Sequence, residues 1–254
     1  MTRLQDKVAI ITGGGTGIGR AIALAFGREG AKVVVAGRRV DKLEAAANEL
    51  RKAGAQALVV TCDVTSADQT QALVQKAETA FDHVNILVNN AGTLSVSTVE
   101  SIPEDEWDSL MNTNLKGPYL MSRAALPALR RAGGGSIVNI GSVLGLVAVK
   151  ERAAYCASKG GITMLTKAMA LDHAAENIRV NCICPSVVET DLVRDMFSDS
   201  EAGQKARAAR LATFPLGRFG RPEDVAELAV FLASEESSWM TGTALPLDGG
   251  VTAN

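Results

Sequence analysis

Tyr155 and Lys159 stand four residues apart, inside a segment of helical period over 155–174. Residues i and i+4 project from one face of a helix, so the phenol and the ammonium share one space. A free phenol ionises near pH 10, and one that works as a base at neutral pH needs roughly 4 kcal/mol of preferential stabilisation of its phenolate. A neighbouring ammonium has the right sign, and a phenol tuned in this way can exchange a proton with a substrate oxygen. Thirteen residues before Tyr155, Ser142 ends an apolar, β-branched run. Its hydroxyl would hold that oxygen and favour a developing alkoxide. A Tyr-xxx-Lys pair also arises by chance on many helices with the lysine solvated, so it gains meaning only from agreement with separate features.

One such feature is the run TGGGTGIG at 12–19, which follows the first apolar run and opens a helical one. Here Gly13, Gly15, Thr16, Gly17, Ile18 and Gly19 are the candidates for a turn that lets backbone approach a pyrophosphate. The charge of that group would sit against free N–H groups at the helix N-terminus. The spacing of Gly13, Gly17 and Gly19 is G-x-x-x-G-x-G, not the G-x-G-x-x-G fingerprint, and a merely flexible turn reads similarly. A ribose-reading carboxylate belongs about 20 residues beyond the glycines; Gly37 stands there, followed by Arg38 and Arg39. Two guanidinium groups suit a 2′-phosphate, so NADP is favoured over NAD, with a solvated basic loop as the alternative. Asp63, beside Val64 at the end of the third apolar run, either accepts from an adenine amino group or caps the helix beginning near Ser66. Asn89, Asn90, Ala91 and Gly92 close the fourth run with small residues that let backbone pass close to a cofactor, and with amides that can bridge strands.

Elements able to position these groups alternate along the chain. Short apolar runs start at Lys7, Lys32, Ala57, Ile86, Ser136 and Ile178, with a seventh at Ala244, and read as strands. Helical periods fill 18–29, 41–53, 67–81, 107–131, 155–174 and 222–233. The alternation predicts βαβ units, and strands apolar throughout predict helices on both faces. The expected fold is α/β, a Rossmann-type doubly wound parallel sheet of about seven strands, in a single domain over 1–254. The polar stretch 189–214, with scattered Leu192, Val193, Met196 and Phe197, reads as a mobile flap over a substrate.

A net charge of −2 gives no field that gathers polyanions, so neither nucleic acid nor an acidic membrane is an expected partner. No apolar stretch reaches transmembrane length and the N-terminus has no leader pattern, which points to the cytoplasm. Cys62, Cys156, Cys182 and Cys184 form no CxxC pair, and His83 and His173 are the only histidines, so no metal is expected. Cys182 and Cys184, at i and i+2 on a strand, read as small core residues. Neither histidine has the context of a hydrolase triad.

Taken together, TGGGTGIG, NNAG at 89–92, Asn114 in NLKG, Ser142, YCASK at 155–159, IRVN at 178–181 and LDGG at 247–250 resemble the short-chain dehydrogenase/reductase family along practically the whole chain. The resemblance implies an NAD(P)-dependent oxidoreductase that interconverts a secondary alcohol and a ketone of a small molecule. It implies that Asn114, Ser142, Tyr155 and Lys159 are catalytic, with Asn114 kinking its helix and holding a water that links Lys159 to solvent. Lys159 would also bond the nicotinamide ribose. Asp63 and Val64 would meet the adenine, with Asn90, Ala91, Gly92, Pro185, Val188 and Thr190 further along the cofactor. A homodimer or homotetramer through the helices at 107–131 and 155–174 is implied as well. One departure stands out: the family's usual Pro-Gly after the sixth strand is Pro185-Ser186 here, which places a side chain beside the nicotinamide.

Substrate contacts are expected from Leu94, Ser95, Leu144, Val149, Lys150, Arg152 and Ser186. Arg152, three residues before Tyr155, could face the cleft and recognise a carboxylate or another anion, as in a hydroxy or keto acid; an exposed Arg at a helix start is the alternative. Two further readings stay open: reduction of a carrier-bound 3-oxoacyl chain, docked on Arg130, Arg131, Lys150 and Arg152, and a dinucleotide sensor without turnover.

Overall fold

The structure, a computed structural model, describes residues 2–190, 193, 197 and 200–253. Seven strands form one sheet: β1 (Val8–Thr12), β2 (Lys32–Gly37), β3 (Ala57–Thr61), β4 (Ile86–Asn89), β5 (Gly135–Ile140), β6 (Ile178–Pro185) and β7 (Ala244–Leu247). Their order is β3-β2-β1-β4-β5-β6-β7, with every pairing parallel. The apolar runs are continuous because both faces are covered. Successive residues of a strand point to opposite faces, so Ile11, Val33 and Val35 pack one way while Ile10, Val34 and Leu87 pack the other.

The first face is covered by α1 (Gly17–Arg28), α2 (Val40–Lys52) and α8 (Pro222–Ala233), which contribute Ile22, Phe26, Leu43, Leu50 and Val230. Against the second lie α3 (Ala67–Phe81), α5 (Gly117–Arg131) and α6 (Ala153–His173), through Leu73, Met121, Leu129 and Met169. Burying a side chain such as Phe26, which has no exposed surface, stabilises by roughly 2–3 kcal/mol.

The helix expected over 107–131 is divided. It begins as α4 (Glu104–Met111), widens into a π-helical turn at Asn112–Lys116 and resumes as α5. Pro118 explains the break, since it has no N–H to give the carbonyl four residues back, that of Asn114. Gly117 tightens it, because a Cβ there would lie 2.8 Å from Val64 Cγ2. In the stretch expected as a flap, the described residues include an exposed helix, α7 (Glu201–Leu211); Leu192 and Met196 lie outside the described residues.

The chain leaves β1 toward β2 and β3 and returns on the other side to β4, so the order reverses between β1 and β4. Crevices at such switch points, beyond the carboxyl ends of the strands, are the usual ligand sites of open α/β sheets. Here the two strand ends are tied together. Thr12 Oγ1 accepts from the amides of Asn90 and Ala91, at 3.0 and 3.1 Å, and Asn90 Nδ2 donates to the carbonyls of Thr12 and Gly13.

Candidate active site

A cleft of about 850 Å³ opens at that switch point. Gly13, Gly15, Thr16, Gly17 and Ile18 line one end of it. Gly13 has φ +65°, and a Cβ there would sit 2.7 Å from Asn90 Nδ2, so this turn requires glycine. Helix α1 starts with no side-chain cap and no acid in its first turn, whereas α3 is capped by Ser66, whose Oγ accepts from the Gln69 amide. The bare N-terminus leaves amides and positive dipole for an anion, which fits a pyrophosphate. Gly19 departs from the sequence expectation, since it does not line the cleft. A Cβ there would be 2.3 Å from the Gly13 carbonyl oxygen, so its part is to let α1 lie against the turn.

Arg38 and Arg39 line the far end, where Arg39 Nη2 donates to Thr16 Oγ1 at 3.1 Å. Lys42, in the first turn of α2, joins them. Sequence reading missed it, although its place three residues beyond Arg39 was a usable signal. Asp63 and Val64 also face the cleft. Asp63 does not cap α3; its Oδ1 accepts from the amide and hydroxyl of Thr65. Those bonds, led by the amide and aided by Arg38, hold its carboxyl below the usual aspartate range.

Beyond Asn90, Ala91 and Gly92, the cleft meets Ser142, Tyr155 and Lys159. Lys159 Nζ lies 5.7 Å from the Tyr155 ring centroid and donates to the Ile140 carbonyl at 2.8 Å. Ser142 Oγ accepts from the Leu144 amide, which leaves its own proton to donate. The short 3₁₀ turn Val143–Gly145 that carries this contact packs on α6 so closely that a Cβ on Gly145 would fall 2.4 Å from the Lys159 carbonyl. Asn114 sits buried in the π turn. Its Oδ1 accepts from the Thr93 amide and its Nδ2 donates to the Thr93 carbonyl, both at 2.8 Å, with a weaker bond to Ser158 Oγ. Ser158 in turn donates to the Tyr155 carbonyl. Asn114 therefore ties the segment after β4 to the helix that bears Tyr155 and Lys159.

Of the expected substrate residues, Leu94, Leu144, Val149, Lys150, Arg152 and Ser186 line the cleft, as do Val193 and Phe197 from the flap stretch. Ser95 does not. Its hydroxyl donates to Glu106 Oε1 at 2.6 Å and pairs with Ser97, turned toward α4, and Val96 faces the cleft in its place. Arg152 stands just ahead of α6 instead of within it, in a non-helical conformation, with Nη1 on the Glu151 carbonyl. Arg210 of α7 also reaches the cleft, its guanidinium 5.6 Å from the Phe214 ring centroid; nothing in its polar surroundings marked it in sequence. Pro185, Val188 and Thr190 complete the wall after β6. Cys182 and Cys184 share one buried face, 3.8 Å apart, outside the cleft. Among the described residues there is no metal-binding cluster, and no helix is long and apolar enough to cross a membrane.

An anion-ready helix end beneath a doubly wound switch point places this cleft among dinucleotide-binding sites. Comparison with known proteins narrows the class. A family model described as enoyl-(acyl carrier protein) reductase matches residues 13–252. The chain is 42% identical over 251 residues to 2-(S)-hydroxypropyl-CoM dehydrogenase 3 of Xanthobacter autotrophicus, covering 99% of this chain and 98% of that one. It is 36% identical over 249 residues to the 3-oxoacyl-(acyl-carrier-protein) reductase FabG of Thermotoga maritima, covering 98% and 99%. The crystal structure of a short-chain type dehydrogenase/reductase from Mycobacterium marinum superposes with a TM-score of 0.92 at 38% identity, covering 100% and 98%. The chain belongs to the short-chain dehydrogenase/reductase family. It is an oxidoreductase acting on CH–OH groups, in a family that uses NAD(P).

Proposed function

We propose that the protein interconverts a secondary alcohol and a ketone of a small molecule, with NADP preferred over NAD. The observation that carries this reading is the meeting of the Tyr155 phenol, Lys159 ammonium and Ser142 hydroxyl in the same cleft as the uncapped end of α1. When bound, the nicotinamide supplies the hydride acceptor or donor. Ser142 donates to the substrate oxygen and favours its alkoxide character. Tyr155 takes the hydroxyl proton during oxidation and returns one during reduction. Lys159 stabilises the phenolate by its charge, and Asn114 fixes the distance between the two walls. At the other end Arg38, Arg39 and Lys42 offer three cations to a 2′-phosphate, and no carboxylate stands at Gly37 to repel it.

An anionic substrate, such as a hydroxy or keto acid, is supported by Arg152 and Arg210. Both line the cleft, and among the described residues neither forms an ion pair with a carboxylate, whereas Arg207 and Arg218 pair with Glu189 and Asp224. The carrier-bound alternative is less well supported, because Arg130 and Arg131 are engaged by Glu176 and Glu78. Outward-facing Tyr119 on α5 and Met164 and Leu171 on α6 support a homodimer or homotetramer through these helices. The four unbridged thiols suit a reducing, cytoplasmic setting.

The test follows absorbance at about 340 nm with both cofactors over a panel of secondary alcohols and ketones. Wild type is expected to turn over members of the panel. Tyr155→Phe should lower kcat by about 10²–10⁴-fold while cofactor affinity stays within about twofold. Silence of the wild type across the panel, despite tight cofactor binding, would instead favour a sensor.

A further inference from the structure

Two buried side-chain polar atoms among the described residues have no hydrogen-bond partner: Asn89 Oδ1 and Ser186 Oγ. They differ in kind. The amide of Asn89 is engaged through Nδ2, which donates to Ser122 and Asn139, so that group is half satisfied, and the residue does not line the cleft. The hydroxyl of Ser186 has no partner at all, yet the residue lines the cleft beside Pro185 and Val187. Natural interiors pair their buried polar groups, and an exception at a ligand site calls for a partner that arrives with the ligand.

Ser186 is placed to meet the substrate. It follows β6 directly, and its amide donates to the Leu247 carbonyl, so its backbone is held by β7. Ser142 follows β5, the neighbouring strand, whose register with β6 runs through Ile140↔Ile183. Continuing that register sets Ser142 opposite Pro185, so the two serines leave adjacent strand ends one residue out of step. Both residues line the same cleft, so one small molecule bearing two oxygens can meet both hydroxyls. The residue itself is only half-buried. Because the residue lines the cleft, a change of χ1 between staggered wells is the motion that would present Oγ to a ligand there.

We infer that Ser186 determines specificity by donating a hydrogen bond to a second substrate oxygen, so that the site prefers ketones bearing a further oxygen close to the carbonyl. This rests on the oxidoreductase reading above and names its substrate class. Ser142 holds the reacting oxygen and Ser186 holds its neighbour. A substrate without the second oxygen leaves the Ser186 hydroxyl unpaired, and sites built around such a donor discriminate strongly against the analogue that lacks its partner.

The experiment uses the full chain with reduced cofactor and neutral ketones in pairs, 2-butanone with 3-hydroxy-2-butanone and cyclopentanone with 2-hydroxycyclopentanone. Neutral pairs keep Arg152 and Arg210 out of the comparison. The wild type should favour the hydroxylated member in kcat/KM. Ser186→Ala should lower kcat/KM for the hydroxylated member by about tenfold or more, and do so far more than for the plain ketone. Ser186→Thr, which keeps the hydroxyl, should retain the preference. Equal effects on both members of a pair, or a loss confined to cofactor affinity, would overturn the inference and leave the oxidoreductase reading standing. Absence of wild-type turnover on every ketone, with cofactor bound, would overturn both.

Discussion

Replacing Gly37 by aspartate should reverse the proposed preference for NADP. A Cβ at Gly37 would meet Leu43 Cδ2 at 3.6 Å and Gly13 at 4.0 Å, which are ordinary contacts, and no positive φ restricts the position. The new carboxylate would stand where β2 enters the cleft, ahead of Arg38 and Arg39. A 2′-phosphate carries about −1.5 to −2 charges. At about 5 Å, with an effective dielectric constant of about 40 for an open, hydrated cleft, repulsion of a single carboxylate comes to about 2–3 kcal/mol. The same carboxylate accepts from a ribose 2′-hydroxyl, worth about 1.5 kcal/mol toward NAD as a charge-assisted bond. The sum, about 4 kcal/mol, is a change of roughly a thousandfold in the ratio of kcat/KM for the two cofactors. Gly37→Ala adds the same Cβ without charge and should leave the ratio within about threefold, since only electrostatics is invoked. The assay is initial rate against each cofactor at fixed ionic strength, because these charges are screened. An unchanged ratio in Gly37→Asp, or an equal shift in Gly37→Ala, refutes the reasoning.

Gly145→Ala forces a methyl against the Lys159 carbonyl; the strain is about 1–3 kcal/mol, so Tm should fall by several degrees and kcat should drop with cofactor affinity intact. Wild-type values of both Tm and kcat would show that the Ser142 turn is not held by that contact. Arg152→Ala and Arg210→Ala should each raise KM for an acidic substrate while sparing its neutral analogue, and equal effects on the pair would remove the anionic reading. Asp224 accepts from Arg218 at 2.6 Å and from the Arg221 amide at the start of α8, and the Arg218 bond leads in holding its carboxyl below the usual aspartate range. A depressed folded-state value means stability that is present above the unfolded aspartate value near 4 and is lost as pH falls through the folded one. Asp224→Asn should therefore lower Tm at neutral pH and converge on wild type in acid. A difference that persists undiminished in acid would assign the loss to packing.

The strands and most helices were legible in sequence because period and apolar continuity are set by burial, which the sheet imposes on every strand alike. The division of the helix around Asn114 was readable only in part. Gly117-Pro118 marks the fault, yet a π turn keeps helical direction and the apolar stripe runs on through it. Ser95 was misplaced because a loop has no period: Leu94 and Val96 face the cleft while the hydroxyl between them bonds Glu106. Gly19 was assigned to the cofactor because glycines in one motif look alike, though Gly13 shapes the turn and Gly19 admits a helix against it. Arg210 depends on where a helix lies over the cleft, which spacing along the chain does not encode.

Burial of Lys159 points to a role for this lysine in the cleft rather than in the stability of the fold. The residue is 6% exposed, its Nζ donates to the Ile140 carbonyl and lies 5.7 Å from the Tyr155 ring centroid, and it forms no ion pair with a carboxylate among the described residues. Taking an ammonium out of water costs several kcal/mol, and one carbonyl hydrogen bond offsets only part of that. A protein that used this lysine neither for proton transfer nor for the expected contact with the nicotinamide ribose would gain stability by replacing it with an apolar side chain of similar length. Lys159→Met should accordingly raise or preserve Tm while abolishing turnover. A variant that unfolded instead would place the lysine among the groups that hold the structure together, and the case for its role in the cleft would lose its energetic support.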